Sequence, residues 1–226
     1  MPLLKKKNIL ITAGSTRGYL DAVRYITNTS TGRLGSEIAL EAMRHGAVVT
    51  YIYGKDSLFP VIENRNDIRS AQLKLIEIET NKDLIGVLQK RLKNRRFDAV
   101  VHAMAVADYV PTRTKPNKTS SKKREWLVRL VKTPKVINII RSTWPEALLV
   151  GFKLEVNRTK DDMIKTAKRF LSKSKADLIV ANDYKYISHN RHIAYIVNGG
   201  RKVPKPLKSK KEIAKGIISY LENTLK

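Results

Sequence analysis

Short apolar runs alternate along the chain with segments whose apolar residues recur every three or four positions. The apolar runs predict strands at Asn8–Ala13, Ala47–Tyr53, Gln72–Ile78, Ala99–Ala103, Ala147–Lys153 and Asp177–Ala181. The helix-period segments predict helices at Arg33–His45, Asn81–Lys93, Pro134–Thr143 and Thr159–Lys173. Such alternation favours an α/β fold, a Rossmann-like, doubly wound, mostly parallel sheet in a single domain over residues 1–226. Thr133 before Pro134 reads as a helix start, a capping hydroxyl followed by proline at the first helical position. Ser209-x-x-Glu212 reads as a capping box that opens a last helix reaching about Leu225. Trp126, Val128 and Leu130 alternate with Leu127, Arg129 and Val131. A strand there is expected to pair with His192–Val197 as an antiparallel extension or a dimer-building arm.

The segment Ile9–Gly35 carries the most chemistry. Gly14 and Gly18 break the first strand, and Asn28, Thr29, Ser30, Thr31, Gly32 and Gly35 put small residues and free backbone amides where a helix begins. Amides at a helix N-terminus point at an anion with a favourable dipole, and glycine lets phosphate approach closely. Between the glycines, Arg24 and Asn28 stand four apart, a guanidinium and an amide expected to grip and polarise a carboxylate or phosphate. A glycine pair after a first strand also occurs in dinucleotide-binding folds and in plain strand-to-helix turns. Two features speak against a nicotinamide dehydrogenase. The second strand ends in Gly54-Lys55-Asp56 with no acidic residue at its tip for a ribose hydroxyl, and Tyr51-x3-Lys55 falls on that strand instead of on a helix lining a site.

The stretch TAGSTRGYLDAVRYITNTSTGRLG resembles the opening of the phosphopantothenoylcysteine synthetases, ligases that join phosphopantothenate to cysteine in coenzyme A biosynthesis. AMAVADY at Ala103–Tyr109, Lys118 ten residues after Asp108, KTPKVI at Lys132–Ile137, VGFKLE at Val150–Glu155 and ADLIVAND at Ala176–Asp183 resemble further family segments in the same order. Many bacterial members carry Lys-x-Lys-Lys where this chain has Lys118-Thr119-Ser120-Ser121, so only Lys118 carries over. The flavin-binding decarboxylase domain often fused ahead of such ligases finds no room here, and a stand-alone form is expected. The long basic stretch Val110–Arg124, rich in Thr, Pro, Lys and Ser, reads as a mobile flap beside the nucleotide.

The resemblance implies nucleotidyl activation of a carboxylate, with CTP favoured because the chain resembles bacterial forms and ATP the alternative. It makes Asn28 and Lys118 catalytic, Asn28 near the reacting carboxyl and Lys118 against the nucleotide phosphates. It assigns Arg24, Asn28, Met104 and Ala105 to phosphopantothenate, and Gly14, Thr31, Gly32, Gly35, Asp108, Lys118, Phe152, Arg169 and Lys173 to the nucleotide. Phe152 is expected beside the base. Arg169 and Lys173, four apart on one helix face, match two family lysines if one residue is inserted before Asp177. The residues alone allow plainer roles: a turn or cap for Asp108, a core position for Phe152, a solvated loop for Lys118. Magnesium (Mg2+) is expected to arrive on the nucleotide, since His45, His102, His189 and His192 show no metal-ligand spacing with carboxylates. A homodimer is implied as well.

Composition narrows the alternatives. The chain has 226 residues, 42% of them hydrophobic, which is ample for a core. Without cysteine there is no thiol nucleophile, disulfide scaffold or cysteine-liganded metal, in keeping with a reducing cytosol. Neither a signal-type stretch nor a bilayer-length apolar run is present, so a soluble, cytoplasmic protein without a membrane partner is expected. The net charge of +25 keeps a different class in view, a non-catalytic basic module that binds nucleotide or nucleic acid; a Rossmann-type reductase is the third alternative. The basic residues are spread over five regions without interleaved aromatics, so nucleic acid is not the expected partner.

Overall fold

A computed structural model describes residues 3–62, 72–122, 124–188, 191–200 and 204–225. Strand β1 (Asn8–Ala13) lies inside the sheet, its residues from Ile9 onward buried. Three further strands, β4 (Val48–Gly54), β5 (Leu73–Ile78) and β6 (Ala99–His102), run parallel with it, as do β9 (Leu148–Glu155) and β10 (Leu178–Ile187). Two antiparallel strands, β11 (His192–Val197) and β12 (Pro206–Leu207), extend the sheet beyond β10. Its order is β12-β11-β10-β9-β6-β1-β4-β5. The chain leaves β1 outward through β4 to β5 and then returns to β6 on the other side of β1. The order therefore reverses between β1 and β6, and the crevice beyond their carboxyl ends is the expected ligand position in an open α/β sheet.

Helices α1 (Arg33–Arg44) and α5 (Lys210–Thr224) cover one face. The other is covered by α2 (Asn81–Gly86), which continues as a π-helical turn over Val87–Arg91, by α3 (Val136–Thr143) and by α4 (Lys160–Ser174). Burial on both faces is why the inner strands β1, β4 and β6 read as largely apolar runs. In α1 the buried positions Gly35, Ile38, Ala39, Ala42 and Met43 fall at helical spacing. Gly35 matters for the site: a Cβ there would lie 2.3 Å from that of Ala13, so only glycine lets the first turn of α1 rest on β1. Helices α1 and α5 run side by side, their ends tied by His45 Nδ1 and Glu222 Oε1 at 2.6 Å.

The α/β class and the mostly parallel doubly wound sheet agree with the sequence reading, and three local expectations do not. The antiparallel extension exists, but Trp126–Val131 does not pair with His192–Val197. Strand β10 runs on to Ile187 and turns back directly into β11, and closing that short hairpin costs far less chain entropy than bringing residue 131 to residue 192. Leu130–Lys132 forms instead β8, which pairs with β7 (Tyr109–Pro111) in a separate two-stranded arm. Thr133 does not cap α3. Its hydroxyl donates to the Ala107 carbonyl at 2.7 Å, and the helix starts after Lys135 without a side-chain cap. The Ser209 cap holds, its Oγ accepting the Glu212 N–H at 3.2 Å, although the Glu212 carboxylate accepts the N–H of Lys208 instead of Ser209.

Candidate functional site at the switch point

The carboxyl ends of β1 and β6 carry most of the residues singled out in the sequence. Gly14 follows β1 with φ +79°, and a Cβ there would fall 2.1 Å from Ser57 Oγ. Past β6 the chain continues through buried Met104 to Ala105, whose N–H donates to the Gly14 carbonyl at 2.8 Å. The Ala105 carbonyl accepts the Thr16 N–H at 3.4 Å and the Asn28 side-chain N–H at 3.1 Å. Asn28 is thus exposed yet fastened across the crevice, and an amide holding one N–H in this bond has its second free to donate to a ligand.

Gly32 and Thr31 open α1 beside this bond. Gly32 is the N-cap at φ +80°, no side chain caps the helix, and its first turn holds no acidic residue. A Cβ on Gly32 would come within 2.8 Å of the Leu58 carbonyl. The amides of the first turn are therefore placed to meet an anion, with the helix dipole in its favour. Arg33 lies at this start, and the Lys210 ammonium is pushed below its ordinary pKa by burial and then by Arg33.

A hairpin of β2 (Arg17–Tyr19) and β3 (Tyr25–Thr27) overhangs the edge. Buried Arg17 ties it down, donating to Asp56 and lying 4.2 Å from the Tyr25 ring centre, while Tyr19 donates to Glu79. At the tip Asp21 is fully buried and accepts the N–H groups of Val23, Arg24 and Thr119 at 3.0, 2.9 and 3.0 Å. These bonds, that from Thr119 foremost, hold its carboxyl down at about 2. Arg24 donates to the Thr119 carbonyl at 3.0 Å and lies 5.3 Å from the Trp126 ring centre. Within this chain its guanidinium turns to Thr119 and Trp126, whereas the Asn28 amide turns to Ala105. Positions four apart meet on a helix, but here they bracket extended β3, which separates them by about 13 Å.

The loop expected as a flap is fastened to the same hairpin, with Thr114 Oγ1 donating to the Tyr19 carbonyl and Lys115 N to that of Leu20, both at 3.0 Å. Lys118 projects from it exposed to solvent. Asp108, also exposed, pairs with Lys135 at 2.7 Å across the start of α3. Phe152 is half-buried against the core beneath α1 and α5, toward the carboxyl end of β9. Arg169 and Lys173 are not brought to this edge. Helix α4 starts at the carboxyl end of β9 and runs back along the sheet, so Lys173 lies about 20 Å along the axis from the first turn.

Four buried polar side chains near the edge, His102, Asn182, Asp183 and His192, were given no site role by the sequence reading. His102 Nδ1 lies 2.7 Å from Thr12 Oγ1, and burial pushes its pKa down to about 4. Asn182 meets His192 Nε2 at 3.0 Å, and His192 is likewise lowered to about 4 by burial and, second, by Lys210. Asp183 accepts the N–H groups of Asn157, Arg158 and Lys185 at 3.2, 2.6 and 2.9 Å, which fixes the loop between β9 and α4. The available signal was the polar pair closing the apolar run Leu178–Ala181. His189 lies outside the described residues.

The two histidines set a pH dependence of stability. Both stay neutral in the fold down to about pH 4, whereas the unfolded chain takes up their protons near 6.5. Stability is therefore level above about pH 6.5 and falls as pH drops from there to 4, by up to about 1.4 kcal/mol per pH unit for each histidine. Urea unfolding at pH 7, 5.5 and 4.5 is expected to show this decline, and His102→Asn to reduce it. An unchanged slope in that variant would remove His102 from the account.

Among the described residues, no three His, Asp or Glu side chains are gathered to hold a metal ion, and no helix is long and apolar enough to cross a membrane. The fold and this edge define a doubly wound α/β domain whose candidate ligand site is the β1/β6 switch point. The chain belongs to the DNA/pantothenate metabolism flavoprotein C-terminal domain family, which it matches over residues 4–225. It is 32% identical over 222 residues to the coenzyme A biosynthesis bifunctional protein CoaBC of Thermococcus kodakarensis, covering 98% of this chain and 52% of that protein. The CoaBC protein of Borreliella burgdorferi is 34% identical over 222 residues, with 96% of this chain and 53% of that protein covered. The chain thus spans about half the length of these relatives. Its fold is similar to the crystal structure of the DNA/pantothenate metabolism flavoprotein from Streptococcus pneumoniae, with a TM-score of 0.83 and 31% identity over 96% of this chain and 99% of that one.

Proposed function

We propose that this domain is a phosphopantothenate–cysteine ligase of coenzyme A biosynthesis that acts in the cytoplasm. The observation that carries the reading is the pairing of Asn28 with Ala105 at 3.1 Å, beside the uncapped, glycine-led start of α1 and at the sheet's switch point. The site offers an aligned donor for a carboxyl group and a row of amides for phosphate. Nucleotidyl transfer suits those means. The carboxylate oxygen attacks the α-phosphorus of a nucleoside triphosphate, the bond to the β-phosphate oxygen breaks, and pyrophosphate leaves with the electron pair. The cysteine amine then attacks the acyl carbon, the nucleoside monophosphate departs and the nitrogen loses a proton. Catalysis of this kind is positioning and charge neutralisation.

Asn28 donates to the reacting carboxyl and Lys118 neutralises the phosphates, with Gly14, Thr31, Gly32 and Gly35 against the nucleotide and Phe152 beside its base. Asp108 borders the same edge. Met104 and Ala105 line the phosphopantothenate half, the latter through its backbone. Magnesium rides on the triphosphate, in keeping with the lack of a carboxylate cage among the described residues. A homodimer would cover the arm of β7 and β8, where Tyr109, Leu127, Leu130 and Val131 are exposed together, and would give Arg24 a neighbouring site to serve.

The test is pyrophosphate release with phosphopantothenate, magnesium and each nucleotide in turn. Pyrophosphate is expected only when acid and triphosphate are both present, faster with CTP than ATP, and cysteine is expected to release the monophosphate. Nucleotide binding that never yields pyrophosphate would overturn the ligase reading.

A further inference from the structure

The backbone of Thr119 is held at both its N–H and its carbonyl. Its N–H donates to Asp21 Oδ2 at 3.0 Å and its carbonyl accepts from Arg24 Nη2 at 3.0 Å, across nearly a hundred residues of chain. Asp21 is fully buried and its other oxygen caps the turn it starts, through Val23 and Arg24. A buried carboxylate that spans two surface segments is costly to desolvate and is retained only with such a full set of donors. On either side of Thr119 the loop is tied again, by Lys115 N to the Leu20 carbonyl and by Trp126, which has Arg24 and Lys115 each 5.3 Å from its ring centre. The residue so clamped directly follows Lys118. We propose that Asp21 is a positioning residue that holds the Lys118 loop in its working place over the edge, so that the ammonium is presented without being ordered anew at each turnover. This rests on the ligase reading for Lys118's role, and on the hydrogen bonds alone for the clamp.

Asp21→Asn keeps the size but sets an N–H2 or a weaker acceptor against the Thr119 N–H and removes the charge beside Arg24. In it, amide hydrogen exchange at Thr119 is expected to rise at least about tenfold while the sheet amides stay protected, and kcat for pyrophosphate release to fall about tenfold. A clamp that acts through Lys118 has a further consequence. In a Lys118→Gln background, Asp21→Asn is expected to cost less than about twofold, because the group it positions is already gone. Equal losses in both backgrounds, or unchanged exchange at Thr119, would overturn the proposal. If Asp21→Asn fails to fold, Thr119→Pro deletes the same N–H from a surface loop and is measured for pyrophosphate release in the same two backgrounds, where equal losses overturn the proposal. A wild-type protein that releases no pyrophosphate overturns the ligase reading instead, and the Thr119 exchange rate then decides the clamp alone.

Discussion

Asn28→Asp is expected to lower phosphopantothenoylcysteine formation by about two orders of magnitude or more while leaving the fold intact. Asn28 is exposed and carries no part of the core, so the loss would come from the site. Its amide donates to the Ala105 carbonyl at 3.1 Å, which leaves a second N–H to donate to a ligand at the edge. Aspartate keeps the shape but turns that donor into an acceptor. It then repels the Ala105 carbonyl that had held it, and it sets a negative charge beside a substrate carboxylate and phosphates. Removing one preorganised donor to a developing anion costs a hundredfold or more in comparable sites, and adding a like charge deepens the loss. Product formation from all three substrates, followed alongside thermal unfolding, checks it. Near-normal turnover in a folded variant would reduce Asn28 to a loop residue.

The same residue shows what a sequence reveals and what it withholds. Gly14, Gly32 and Asn28 stand out in the sequence because each serves a local need, a positive φ, an uncapped helix start or a polar residue in a turn, and local needs leave local signals; Ala105 is marked by the family resemblance alone. The sheet was legible for a related reason, since strands buried on both faces must be apolar throughout. Contacts made across the chain left no such mark. Nothing near Asp21 announces that its carboxylate reaches Thr119, and nothing near Arg24 says that extended β3 carries it away from Asn28. Arg169 and Lys173 looked plausible because a four-residue spacing fixes a helix face but not which end of the sheet the helix reaches. The histidines stayed hidden for lack of any pattern: a lone His102 in a strand acquires its lowered pKa only from the burial around it.

Lys118→Gln is expected to depress pyrophosphate release roughly a hundredfold, the effect of taking one positioned cation from a phosphoryl-type transition state. With a net charge of +25, the comparison must separate a site from its background. Lys211→Gln removes the same charge from an exposed position in the first turn of α5 and is expected to leave activity within about twofold, since exposed charges interact weakly through solvent. Lys210 is a poorer control than its neighbour. Its ammonium is partly buried, bonds the Ser188 carbonyl at 3.2 Å and feels Arg33 at the start of α1, so its loss would disturb the edge itself. Salt supplies an independent measure. Affinity built on many nucleic-acid phosphate contacts falls by orders of magnitude between low and physiological salt, whereas turnover on a small enclosed substrate is expected to change only a few-fold. Equal losses in Lys118→Gln and Lys211→Gln would show that the whole basic surface acts and that Lys118 is not special. Tight, sequence-selective nucleic-acid binding that survives physiological salt would point the same way, to a binding module that uses this surface.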